Sequence, residues 1–149
     1  MSYFQIKLQN MASINPHIHF NGNTQEAFEF YQSVLGGEFG KITRFKDLTT
    51  VGFQFPEAEL NKIMHISLPI AAGSVLMGSD VPSMLGTVNE NENRSKITIS
   101  ADSKEEANKL FNGLSAGGTI ECPIGDSPWG AYFGSFRDKF GVEWMVSFH

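Results

Sequence analysis

The sequence predicts an α+β protein of two βαβββ modules, whose curved mixed sheets surround a groove with the helices outside. Three observations predict it. Two helical stretches carry matching caps and apolar stripes. Asn23, Glu26, Ala27, Phe30, Tyr31 and Val34 recur as Ser103, Glu106, Ala107, Leu110, Phe111 and Leu114, at a constant offset of 80 residues, the mark of an internal repeat. A strand-like stretch precedes each helix and three follow it. The chain closes on a hairpin pattern: apolar runs at 131–136 and 142–148 flank Asp138-Lys139-Phe140-Gly141, where Gly141 is free to take positive φ.

Taken in order, residues 1–10 alternate weakly, as an added strand or as an extension before a natural start near Met11. Residues 14–20 read Ile-Asn-Pro-His-Ile-His-Phe, apolar at even positions and polar at odd ones, the pattern of a half-buried strand. Asn23 is placed to cap the first helix, with Glu26 reaching back, and Gly36-Gly37 ends it. A strand is expected over 38–45, a loop or irregular hairpin around Pro56 over 46–61, and two strands over 63–68 and 74–79. Pro82, Gly86 and the run Asn89 to Asn93 break the pattern and read as a flexible linker. The second module repeats the sequence of events: a strand at 96–100, a helix opened by Ser103 and Glu106 and ended by Gly117-Gly118, a strand at 119–124 and the hairpin. The organisation is an extension over 1–13, a module over 14–80, a linker over 81–94 and a module over 95–149.

A chain of 149 residues, 41% apolar, has enough material for a core. With Lys+Arg at 11 against Asp+Glu at 16 the net charge is −5, and no basic cluster exists to neutralise phosphates, so a nucleic-acid partner is not expected. Cys122, the single cysteine, excludes an internal disulfide and a thiolate zinc cluster, and reads as a small buried hydrophobe. Without a long apolar run or a leader pattern, a soluble cytoplasmic protein with no membrane partner is the expectation.

Strand parity nominates the groove lining. If each helix takes up the apolar face of its own sheet, the opposite faces line a concave polar groove, a favoured site for ligands. Asn15, His17 and His19 fall on the first strand, His65 and Ser67 on a middle strand, and Met77 with Val75 and Ser79 on the fourth. Lys96, Thr98 and Ser100, then Glu143 and Met145, follow from the second module.

The stretch from Trp129 to Met145 reads W-G-A-Y-F-G-S-F-R-D-K-F-G-V-E-W-M. Its W-G, aromatic-Gly and D-x-F-G-x-x-W elements resemble the closing hairpin of the PhnB-like branch of the vicinal-oxygen-chelate superfamily, the family of glyoxalase, bleomycin-resistance proteins and dioxygenases. Met64-His65 resembles the same branch. The resemblance implies a divalent metal in the groove, held by His and Glu from the first and fourth strand of each module. Carried onto this chain, those positions fall at Asn15, near Met77, at Lys96 and at Met145. Amide and thioether groups are poor ligands for first-row ions and Lys brings its own charge, so the usual site reads as erased, and no metal or other cofactor is expected. His17, His19, His65 and Glu143 are of the types zinc, iron or nickel would accept, which leaves a different site open.

His17 and His65, with Glu143, are the candidate catalytic residues. Imidazole titrates near neutral pH, and Glu143 is the one carboxylate expected inside the groove, where apolar neighbours such as Met145 would raise its pKa toward that of a general base. The bland alternatives are cavity-lining histidines and a Glu143–Lys96 salt bridge. His19, Met77, Lys96, Thr98, Trp129, Phe133 and Met145 are candidates for substrate binding. Trp129 is suited either to closing the groove over an apolar ligand or to anchoring a core or dimer interface. Phe136 and Trp144 read as packing, Arg137 and Asp138 as structural, with Asp138 capping the turn.

Two functions compete. One is an enzyme of the superfamily acting on a small organic molecule through His and Glu proton transfer. The other is a non-catalytic, drug-sequestering binder of the bleomycin-resistance type, which needs no metal. A scaffold with a vestigial groove is the third reading. Methyltransferase chemistry, a label attached to this branch, is discounted for want of a strand and Gly-rich turn leading into a helix. The resemblance also implies a homodimer.

Overall fold

A computed structural model describes residues 12–70 and 73–149, so the expectation for residues 1–10 lies outside the described part. Among the described residues, eight strands and two α-helices follow one another as β1 (His17–Phe20), α1 (Thr24–Leu35), β2 (Thr43–Arg44), β3 (Ile63–Pro69), β4 (Val75–Asp80), β5 (Ile97–Ser100), α2 (Lys104–Ser115), β6 (Thr119–Asp126), β7 (Tyr132–Arg137) and β8 (Glu143–Phe148). They form two four-stranded sheets, ordered β1-β4-β3-β2 and β5-β8-β7-β6. In each, the first strand runs parallel to the fourth, reached through the helix and two further strands, and the remaining pairs are antiparallel. The same path is traced twice, as the helical repeat predicts.

Apolar stripes on both helices and the inner faces of both sheets merge into one core. Ala27, Phe28 and Tyr31 of α1, Ala107, Phe111 and Leu114 of α2, and Leu68, Leu76, Trp144 and Val146 of the sheets belong to one cluster. The helices meet at Gly113, where a Cβ would press on the Val34 side chain. Asp138 ties the modules together: its Oδ2 accepts from the Tyr31 hydroxyl at 2.6 Å and from the Trp144 indole N–H at 2.8 Å, while Oδ1 accepts the Phe140 and Val142 amides of the β7–β8 turn. A buried carboxylate with four donors is fully satisfied, which is the condition for its burial.

Several elements differ from expectation. The strand expected over 14–20 begins only at His17, because Pro16 has no amide to give a ladder, and Ile14 is 99% exposed rather than packed. The strand expected over 38–45 shrinks to Thr43–Arg44, although Gly40 still donates to the Ser67 carbonyl at 2.9 Å. Residues 46–61 hold two 3₁₀ turns in place of a loop or hairpin. Asn23 makes no cap; Asp80, at the far end of β4, accepts from the Thr24 amide at 3.0 Å and its hydroxyl at 2.6 Å. In α2, Ser103 accepts from the Glu106 amide at 3.0 Å as expected, and Glu106 reaches back to the Asp102 amide.

The segment between the modules is held at both sides. The Asn21 side chain pairs with the amide and carbonyl of Val88 at 2.7 and 3.0 Å. The Arg137 guanidinium donates to the carbonyls of Glu90, Glu92 and Gly141. The flexible linker expected there is therefore replaced by a docked one, because turn formers and amides in its composition do not exclude side-chain pairing from elsewhere.

Candidate functional site

A cleft of about 480 Å³ opens between the β1 edge of one sheet and the approach to β5 in the other. Pro16 to Phe20 form one wall, Ser95 to Ile97 another, and Val88, Asn89, Glu90 and Glu92 of the docked segment a third, with the β7–β8 turn and Glu143 at the end. Its volume lies within the usual range for small-molecule sites.

Of the candidates, the cleft gathers His17, His19, Lys96 and Glu143. His65 is adjacent on the same face, its ring centroid 5.7 Å from that of His17. Met77 stands opposite His17 in the β1–β4 ladder, and Thr98 opposite Met145 in the β5–β8 ladder, on sheet surface beyond the cleft wall. Trp129 is 69% exposed on the β6–β7 loop, with its ring 5.1 Å from Phe133, and neither reaches the cleft. Parity names the right faces but not where they close together; that depends on how the edge strands and the docked segment meet.

Period-two alternation puts His17 and His19 on one side of β1, and β4 supplies the group between them. His17 Nε2 lies 3.0 Å from Ser79 Oγ, and His19 Nδ1 lies 3.1 Å from the same oxygen. Ser79 falls on the expected face, but its bridging position requires the β1–β4 register, which the sequence does not state. Burial holds the His17 pKa below its ordinary value, and the neighbouring His19 and His65 rings lower it further. His17 is thus a neutral imidazole at pH 7.

Glu143 departs from the role of general base. Its side chain is 2% exposed and forms ion pairs with Lys96 and, at 2.6 Å, with Arg137. Burial alone would raise its pKa, but hydrogen bonds from neighbouring side chains, Lys96 among them, and the charges of Lys96 and Arg137 outweigh it, and the net displacement is downward. The carboxylate is a poor proton acceptor near neutrality. The reciprocal effect is on Lys96, raised chiefly by its hydrogen bond to Glu143. Arg137 has the larger structural part, since it also fastens the segment that walls the cleft.

The residues do not fit the metal the resemblance implies. Asn15 Oδ1 is spent on the Val75 amide at 3.1 Å, Lys96 is ion-paired, and Met77 and Met145 offer thioethers. Among the described residues no three His, Cys, Asp or Glu side chains are arranged to hold an ion. His17 and His19 direct Nε2 and Nδ1 at a shared hydroxyl rather than at a common point in the cleft.

Comparison with known proteins agrees with this architecture. The family model described as the Glyoxalase/Bleomycin resistance protein/Dioxygenase superfamily matches residues 14–146. Protein YjdN of Escherichia coli strain K12 is 31% identical over 146 residues, covering 90% of this chain and 93% of the relative. The crystal structure of protein PA1353 from Pseudomonas aeruginosa superposes with a TM-score of 0.78 at 37% identity, over 93% of this chain and 98% of that one. A PhnB protein from Bacillus cereus, described as a putative 3-demethylubiquinone-9 3-methyltransferase, shares the fold with a TM-score of 0.71 at 24% identity, over 93% of this chain and all (100%) of that one.

Proposed function

The chain belongs to the glyoxalase/bleomycin resistance protein/dioxygenase superfamily, and from that premise we propose that the cleft between its modules holds a small organic molecule against His17 and His19, without a divalent metal. The observation that carries this reading is the pair of imidazoles facing a cleft of about 480 Å³. A neutral His17 offers a ligand hydrogen bonding and, to an acidic ligand proton, a base. Binding without chemistry, as in a sequestering protein, is favoured over proton transfer by one specific observation: Glu143, the carboxylate expected to act as the base, is committed to Lys96 and Arg137. In the enzymatic alternative His17 takes the proton, and Glu143 holds Lys96 and Arg137 in place.

Assembly as a homodimer in the cytoplasm, with neither nucleic acid nor membrane as partner, belongs to the same proposal. Among the described residues no helix is long and apolar enough to cross a membrane. Trp129 is the expected anchor between copies, and a clean monomer by light scattering counts against that role.

The test of binding is native mass spectrometry on protein purified without a tag, followed by a thermal-shift screen of metals and small organic compounds on wild type and His17→Ala. Stabilisation by organic compounds that disappears in the variant supports the proposal. Stoichiometric metal that is lost on mutating His17 overturns it.

A further inference from the structure

We propose that Ser79 locks His17 and His19 into complementary tautomers, so that the cleft selects an uncharged polar group carrying a hydrogen-bond donor and an acceptor side by side, as in a primary amide or an α-hydroxyketone. This rests on the reading that the cleft binds a small organic molecule.

A hydroxyl has one proton to donate and two lone pairs. Ser79 is 7% exposed, and its Oγ has two partners among the described residues: His17 Nε2 at 3.0 Å and His19 Nδ1 at 3.1 Å. If both rings donated to it, its own proton would be buried without an acceptor, at the cost of a lost hydrogen bond. If neither ring donated, one proton would serve two lone pairs. Both bonds are made, and the hydroxyl proton is paired as well, only when one ring donates and the other accepts.

The remaining nitrogens follow. Each neutral imidazole carries one N–H and one lone pair, and burial, the largest influence on His17, favours that form there. When His17 Nε2–H donates to Ser79, His17 Nδ1 is a lone pair, and His19, accepting at Nδ1, has its N–H at Nε2. When Ser79 donates to His17 instead, the roles exchange. In either state the two rings, with centroids 5.0 Å apart, present one acceptor and one donor. They never present two donors or two acceptors while Ser79 keeps both bonds with its own proton paired. A ligand with acceptors only, such as an ester, leaves a ring lone pair unmatched or breaks a Ser79 bond. A ligand with a donor beside an acceptor satisfies both rings.

Two measurements test this. Long-range ¹H–¹⁵N spectra at pH 8 read the tautomers directly. Protonation is expected at only one of His17 Nε2 and His19 Nδ1, or as a correlated exchange between the two, and Ser79→Ala is expected to release the correlation. Both nitrogens protonated, or both bare, in the wild type would overturn the lock. Next, benzamide and methyl benzoate are titrated while the same imidazole signals are followed. The two are close in size and both uncharged, so Glu90 and Glu92 in the wall do not decide between them. Benzamide is expected to bind about tenfold more tightly, and the preference to fall in Ser79→Ala. Equal affinities, or tighter methyl benzoate, would sink the donor–acceptor selection and leave the cleft as a binding site. If neither compound moves these signals, both readings fail.

Discussion

At His17 three influences act on one imidazole: partial burial, the neighbouring His19 and His65, and the hydroxyl of Ser79. Its folded pKa lies below 6.5, so as pH falls the unfolded chain takes up this proton first. Stability is therefore full above pH of about 6.5 and is lost as pH drops from there through the lower folded value. The melting temperature of wild type is expected to fall between pH 8 and 5.5 by more than that of His17→Gln, with His19 and His65 common to both; parallel profiles would contradict the shift. Asp138 shows the opposite use of a buried ionisable group. Removing it in Asp138→Ala strands the Tyr31 hydroxyl and the Trp144 indole N–H, and a loss of about 3 kcal/mol in urea unfolding is expected. Residue types were legible in the sequence, and Asp138 reads as a turn cap from its neighbours alone. Its grip on Tyr31, 107 positions away, is not legible; for Glu143 the salt bridge to Lys96 is one of the two readings the sequence offers, while the second cation, Arg137, is not.

Among elements, helices and strands were the most readable, because their periods and caps are local. The cap of α1 was not, since Asp80 stands 56 residues from Thr24 and supplies from β4 what Asn23 does not. The strand expected over 14–20 is shortened by Pro16, and the one expected over 38–45 keeps regular pairing only at Thr43–Arg44. Composition over 81–94 suggests freedom, whereas the side chains of Asn21 and Arg137 bond its backbone and the segment forms a wall of the cleft. Gly141 has φ of 94°, and a Cβ there would collide with the Glu90 carbonyl. Gly141→Ala is expected to cost about 1–3 kcal/mol from the backbone conformation and to open the segment to limited proteolysis near Glu90. Unchanged cleavage there would show that the docking contacts hold nothing in place.

On the scale of the whole molecule, duplication explains the architecture and a shared core makes it one unit. Because Phe28 and Tyr31 of the first module and Phe111 and Trp144 of the second belong to one cluster, far- and near-ultraviolet circular dichroism are expected to give coincident urea transitions. Two separate transitions would mean modules that fold independently. The groove itself was legible as a consequence of duplication; its place at the β1 edge, and the meeting of His17 and His19 on Ser79, required the register between strands 60 or so positions apart. The central claim, that this cleft binds a small organic molecule through its imidazoles without metal, is tested most directly by mapping amide and imidazole chemical-shift changes on adding whichever compound most stabilises the protein. Changes centred on His17, His19, Val88 and Glu143, unaltered by chelator, are expected; changes confined to another face, or abolished by removing a bound metal, would contradict it.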